Sequence, residues 1–287
     1  MGGDELDNFV LDDYVSASGD EYEEDAEESL LDEAVAGPST QATTSKADDK
    51  KRKRKAKLKT KAKRRRLTES TESENLKSIA EAPPHELADY LASLQAKTFK
   101  QLSAIELDEL RIPDTAIADT TSWSNPRTLD HLTEFIIKVV PGLHTRLSQK
   151  SKNTGSPTLL FVTGAALRVA DVTRILKDKK LRGDKGGEVA KLFAKHFKLS
   201  EHVSYLKRTK VGAAVGTPGR IGKLLCETDA LTISALSHII LDVTYRDAKR
   251  RNLLDIPETR DEVFRSVLGA PRVLQAIKAG KIQVVLY

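Results

Sequence analysis

The spacing of apolar residues changes character along the chain. From residue 1 to about 81 no apolar stripe recurs, and Phe9, Val10, Leu11 and Tyr14 make at most one short docking segment. The first helical period opens at Pro83-Pro84, where proline suits an N-terminal turn. Leu87, Tyr90, Leu91 and Leu94 then recur at i, i+3, i+4 and i+7, and Leu102, Ile105, Leu107 and Leu110 carry the pattern to Ile112-Pro113. This spacing predicts a helical lead-in over 84–113 that packs on something else.

From about residue 157 the pattern becomes regular. Leu159-Leu160-Phe161-Val162 is a continuous apolar run, as a strand buried on both faces requires. Ala165, Val169, Val172 and Leu176 follow at helical spacing. Val211-Gly212-Ala213-Ala214-Val215 predicts a second strand, leading through Thr217-Pro218-Gly219-Arg220 into a helix with Ile221, Leu224 and Leu225 on one face. Ile239-Ile240-Leu241 predicts a third strand, Val263, Phe264 and Val267 a helix, and 271–279 another closed by Gly280. Residues 282–287 form the last strand. Strands alternating with helices predict a parallel sheet covered on both faces, an α/β body.

Composition explains the silent first part. Of 287 residues, 39% are hydrophobic and 31% charged, so part of the chain cannot be packed core. Residues 1–50 hold 16 Asp/Glu and 2 Lys, a net of −14, whereas 51–66 hold 12 Lys/Arg and no acid. The remainder brings the total to +5. Blocks of like charge repel themselves and bury little, so 1–81 is expected to be a disordered tail, acidic and then basic. Residues 82–113 form the lead-in or docking segment, and 114–287 the α/β lobe.

Several function classes fall away. Cys226 is the one cysteine, too few for a disulfide framework or a thiolate cage, and it reads as a buried small hydrophobe. The six histidines show no metal spacing; His196 reads as a surface or satisfied helix residue, and no metal or cofactor is expected. Trp123 is expected to pack under a loop. No run approaches the roughly 18 apolar residues of a membrane span, and the acidic first thirty residues resemble no targeting peptide. A soluble intracellular chain is expected, with no membrane partner.

An α/β body raises the question of nucleotides. A phosphate-binding loop needs glycine for its turn, lysine for the β/γ-phosphates and a hydroxyl for magnesium. Gly222-Lys223 and Gly280-Lys281 are followed by leucine and isoleucine, and Gly186-Gly187 has no Lys-Ser/Thr after it.

Other motifs carry a resemblance. Thr217-Pro218-Gly219-Arg220 resembles the T-P-G-R motif of DEAD-box RNA helicases, which touches the RNA backbone in that family. The segment 160–171, with Arg168, occupies the place of P-T-R-E-L-A, another RNA contact, and 239–245 that of V-L-D-E-A-D. The departures are as informative. Of the D-E-A-D tetrad Asp242 survives, but the glutamate is Val243. The place of the Walker A loop, Asp119-Thr120-Thr121-Ser122-Trp123, has no glycine or lysine. The resemblance implies a degenerate RecA-like first lobe, a pseudo-helicase without enzyme activity, second lobe or cofactor, with Asp242 as a vestige expected to cap or pair locally.

A second resemblance covers more of the chain. Residues 86–91, 105–113, 167–171 and 190–199, the last beside Gly216-Thr217-Pro218-Gly219-Arg220, resemble the Cms/CMSS family of small-ribosomal-subunit assembly proteins. Membership implies a non-catalytic component of the early 90S pre-ribosome, or small-subunit processome, in the nucleus and nucleolus. Its expected partners are pre-ribosomal RNA and assembly proteins in 18S rRNA maturation, with the chain a monomer within the particle.

Candidate contacts follow in two groups. In the basic arm, Lys51, Arg52, Lys53, Arg54, Lys55, Arg64, Arg65 and Arg66 suit phosphate, a nuclear import signal, or both. Their RNA binding would rest on counterion release and be sequence-blind, for the run lacks an aromatic to stack on bases. In the body, Thr217, Gly219, Arg220 and Arg168 are candidate backbone contacts, since a helix N-terminus favours phosphate. The same turn also reads as a plain strand-to-helix connection with Arg220 facing solvent. Two other classes are open at this point: a general nucleic-acid binder driven by the arm, and an atypical ATPase.

Overall fold

The computed structural model describes residues 78–149, 151–195 and 197–287. Residues 1–77, with the basic arm, and Lys150 and His196 lie outside the described residues; the last residues of the expected tail are part of the fold instead, Ile79–Glu81 forming a 3-10 turn with Ala80 fully buried.

The lead-in starts where its proline pair requires. Helix α1, Pro84–Thr98, begins on Pro83 and buries Leu87, Ala88, Leu91 and Leu94. Helix α2, Ala104–Leu110, differs from the expected packing because it buries none of its residues, and Ile105 is 76% exposed. What holds this short helix is its cap: the Ser103 N–H donates to Glu106 Oε2 at 2.7 Å, and the Glu106 N–H donates to Ser103 Oγ at 3.4 Å. Beyond Pro113 the chain reaches the sheet, where Ile117 makes a parallel bridge with Val284 and the Ala118 N–H donates to the Val284 carbonyl at 2.9 Å.

Two helices follow, α3 (Leu129–Val139) and α4 (Pro141–Leu147), then strand β1 (Leu159–Val162) and helices α5 (Ala166–Leu176) and α6 (Lys179–Arg182). Strand β2 (Glu188–Leu192), helix α7 (Leu199–Arg208), strand β3 (Val211–Gly216), helix α8 (Pro218–Cys226) and strand β4 (His238–Leu241) continue the alternation. Helix α9 (Pro257–Glu262) runs into a π-helical turn at Val263–Val267, followed by α10 (Pro271–Lys278) and strand β5 (Gln283–Leu286). All four strand pairs are parallel, in the order β2-β3-β1-β4-β5. The α/β fold read from the sequence is the fold observed.

Register places Phe161 beside Val215 and Ile240, and Ile240 beside Val285. Side chains of one strand alternate between faces, so these residues share a face. There they join Leu132, Phe135, Ile136, Leu143, Val169 and Val172 from α3, α4 and α5 in one apolar cluster. Trp123 belongs to it, 6% exposed, its ring edge-on to Phe135 at 5.5 Å. The alternate residues Leu160, Ala214, Ile239 and Val284 are equally buried on the opposite face. On that side α8 lies so close to the π-turn that a Cβ at Gly222 would stand 2.2 Å from Ser266 Oγ.

One sequence reading is corrected. Cys226, expected in the core, is exposed at the last position of α8, its thiol turned to the Ser266 carbonyl at 3.5 Å. Leu224, two residues earlier, takes the buried face. No helix of the described residues is long and apolar enough to cross a membrane.

Candidate functional site

Open parallel sheets bind ligands outside the carboxyl ends of their strands, and here four of the five strands are followed by a polar side chain, β2 by Phe193. Thr163 follows β1, Asp242 follows β4, Thr217 follows β3 and Tyr287 follows β5.

Asp242 is fully buried. Its Oδ2 accepts from Thr163 Oγ1 at 2.9 Å and from Arg168 Nε at 2.9 Å, and its Oδ1 from Arg168 Nη2 at 3.3 Å. Two parallel N–H donors on one carboxylate make the strong, geometrically fixed form of ion pair. The Arg168 guanidinium also lies 4.9 Å from the centre of the Tyr245 ring. The expected local partner of Asp242 is therefore a residue 74 positions earlier, on the first turn of α5. Arg168, a candidate RNA contact, spends its donors on that carboxylate, and its side chain is 11% exposed.

The segment in the place of a Walker A loop is equally engaged with its own chain. Thr120 is fully buried; its hydroxyl donates to the Ala80 carbonyl at 3.1 Å and accepts from Arg127 Nη2 at 2.9 Å. Asp119 accepts from the Thr121 N–H at 2.9 Å. Arg127, 7% exposed, donates through Nη1 to the Leu286 carbonyl at 3.1 Å and lies over Phe135. Burial pushes the pKa of this guanidinium down. Tyr287 closes the same corner, its hydroxyl donating to the Thr128 carbonyl, and burial raises its phenol pKa.

The Thr217–Arg220 turn makes the strand-to-helix connection, with Pro218 at the first position of α8. The alternative of a solvent-facing Arg220 is corrected. This side chain is 8% exposed and donates through Nη2 to the Phe197 carbonyl at 2.7 Å, because α7 and the connection before it cover the turn. The Gly219 N–H is taken by the Glu262 carboxylate at the end of α9. Their approach is close enough that a Cβ at Gly219 would stand 2.3 Å from Glu262 Oε1. A carboxylate thus lies over the N-terminus of α8, where the helix dipole favours negative charge.

The structure gathers Arg168 and Asp242 in one cluster and Thr217, Gly219 and Arg220 in one turn. The arm residues Lys51, Arg52, Lys53, Arg54, Lys55, Arg64, Arg65 and Arg66 lie outside the described residues. Sequence reasoning did not find Arg127 or Glu262, which carry no motif and reach this edge only through tertiary packing. Among the described residues no group of three His, Cys, Asp or Glu is placed to hold a metal ion.

Comparison with known proteins extends the picture. The Schizosaccharomyces pombe protein named cms1 is 35% identical over 266 residues, which is 91% of this chain and 92% of that protein. The Chaetomium thermophilum protein named CMS1 is 41% identical over 173 residues, 60% of this chain and 67% of that one. Among solved structures, a DEAD box protein from Methanococcus jannaschii aligns with 56% of this chain and 37% of its own, at 18% identity and a TM-score of 0.35. A family model described as a U3-containing 90S pre-ribosomal complex subunit matches residues 36–287. With that match over most of its length, the chain belongs to the CMS1 family of ribosome-biogenesis proteins.

Proposed function

We propose that this chain is a non-catalytic subunit of the U3-containing 90S pre-ribosome, acting in the nucleolus as an adaptor in 18S rRNA maturation. Within the particle it serves as a monomer: the α/β lobe (114–287) and its helical lead-in (82–113) dock, and the tail (1–81) makes accessory contacts. The basic arm provides sequence-blind phosphate contact and nuclear import. The Thr217–Arg220 turn and Arg168 serve mainly the integrity of the lobe.

The observation that carries the non-catalytic reading is the state of Asp242. A carboxylate that is to hold magnesium on a nucleotide must present its oxygens to a cleft. Here both oxygens are taken by Thr163 and Arg168 in a fully buried position, and the next residue is Val243. The family description supports membership of the particle.

Two measurements test the reading. The purified chain is expected to show no RNA-stimulated ATP hydrolysis; turnover comparable to a helicase and abolished by Asp242→Ala overturns the non-catalytic assignment. The unaltered chain is expected to sediment with 90S particles, and its absence from them overturns the adaptor role.

A further inference from the structure

Charge is polarised within the body. Residues 78–287 hold 32 Lys/Arg and 23 Asp/Glu, a net of +9. Residues 78–119 alone hold 3 and 8, a net of −5, which leaves +14 on residues 120–287. At the carboxyl edge of the sheet Arg127, Arg168 and Arg220 are turned inward. The free cations lie elsewhere.

Arg146, Lys152, Lys180, Lys185, Arg208 and Lys210 are exposed, and no ion pair among the described residues engages them. Short contacts bring their segments together at the amino ends of β1, β2 and β3. His144 Nε2 lies 2.9 Å from the Lys180 carbonyl, joining α4 to α6. Ser151 Oγ donates to the Val211 carbonyl at 2.7 Å, and the Glu188 N–H donates to the Lys210 carbonyl at 3.0 Å. The neighbouring acids are committed to other cations: Asp184 to Lys179, Glu188 to Arg182 and Asp229 to Lys207. Helix dipoles account for three of these cations, since Arg146, Lys180 and Arg208 lie in the last turns of α4, α6 and α7. Lys152, Lys185 and Lys210 lie in connections and serve no helix end.

We infer that this amino edge of the sheet, opposite the edge bearing the helicase-like motifs, docks the sugar-phosphate backbone of RNA. The inference rests on the RNA-binding role proposed above and assigns that role a second, folded surface. Six cations without an aromatic among them neutralise phosphates and read no bases, so the contact is sequence-blind and salt-sensitive.

The test uses the full chain with the twelve Lys/Arg of residues 51–66 changed to Gln, which removes the arm's own binding. On this background the four-site variant Lys152→Gln, Lys180→Gln, Lys185→Gln, Lys210→Gln is compared with a charge-matched control at Lys97, Lys100, Lys249 and Lys281. The probe is a labelled 20-nucleotide single-stranded RNA. At about 0.7 counterions per contact, four lost contacts reduce the slope of log K against log salt by about 3. At 50 mM salt the four-site variant is expected to bind at least tenfold more weakly, the control within twofold, and both to unfold at the parent's temperature. Equal losses in the two sets overturn the proposal, as does an arm-neutral chain that binds no RNA. If the four-site variant keeps its RNA affinity but leaves the particle, the face serves an acidic protein and the proposal falls. Failure of the adaptor reading would register separately, as absence of the unaltered chain from particles.

Discussion

Arg168 and Asp242 form a buried, two-pronged ion pair that joins the first turn of α5 to the end of β4, with Nε–Oδ2 at 2.9 Å. Removing one partner of such a pair leaves an uncompensated charge inside the protein and costs about 3–5 kcal/mol. Asp242→Leu and Arg168→Met are each expected to destabilise by that amount in urea unfolding. The double variant Arg168→Met, Asp242→Leu is expected to cost less than the sum, because neither charge is then stranded. Additive losses would show that the pair is not the unit of stability.

Gly219 and Glu262 are expected to be coupled in the same way. Glu262→Ala removes a carboxylate from the α8 N-terminus and is expected to cost about 0.5–1 kcal/mol. Gly219→Ala displaces the same carboxylate through its Cβ and is expected to cost a similar amount. In the Glu262→Ala background the Gly219→Ala change should be nearly free. A full Gly219→Ala cost without Glu262 would mean that the glycine answers to some other neighbour.

Acid is expected to weaken the fold through two buried histidines. Burial, with Arg220 next, lowers His202 from 6.5 to about 4; burial, with Arg146 next, lowers His238 to about 4. The unfolded chain therefore binds more protons than the native one between about pH 4 and 6.5. The stability held by the neutral rings is complete above pH 6.5 and is lost as pH falls toward 4. His202→Phe should flatten this decline relative to its own stability at pH 7.5, measured as urea midpoints at pH 7.5, 5.5 and 4.5. A variant whose midpoints fall as steeply as the parent's would remove His202 from the account.

The acidic and basic halves of the tail, −14 over 1–50 and +12 over 51–66, are expected to compete with RNA for one another. Exposed pairs of this kind are weak and screened over about 10 Å at 0.1 M salt. Deleting residues 1–45 is expected to tighten binding to arbitrary RNA at 50 mM salt, with the difference shrinking as salt rises. Equal affinities at 50 mM would dispose of this competition.

What the sequence made legible follows from burial. β1, β3 and β4 are buried at every position, so each appears as an apolar run, interrupted by His238 at the start of β4. β2 lies at the edge, with Glu188 and Lys191 half-buried, and its five residues give too short an alternation to read. Motif positions were legible at Thr217–Arg220 and Asp242, but the occupants of those positions were not. Arg168, Phe197 and Glu262 meet them through tertiary packing, which spacing does not encode.

The polarity of the lobe has a kinetic consequence. The acidic lead-in joins the sheet at β5 through the Ile117–Val284 bridge, whereas the exposed cations gather at the amino ends of β1, β2 and β3. Across the sheet β5 stands about 10 Å from β1 and about 19 Å from β2, at about 4.8 Å per strand. Both distances exceed the screening length of about 8 Å at physiological ionic strength, so neither patch cancels the other's field at close range. Near a polyanionic surface the lobe experiences a torque as well as an attraction, which turns the amino ends of β1, β2 and β3 toward that surface.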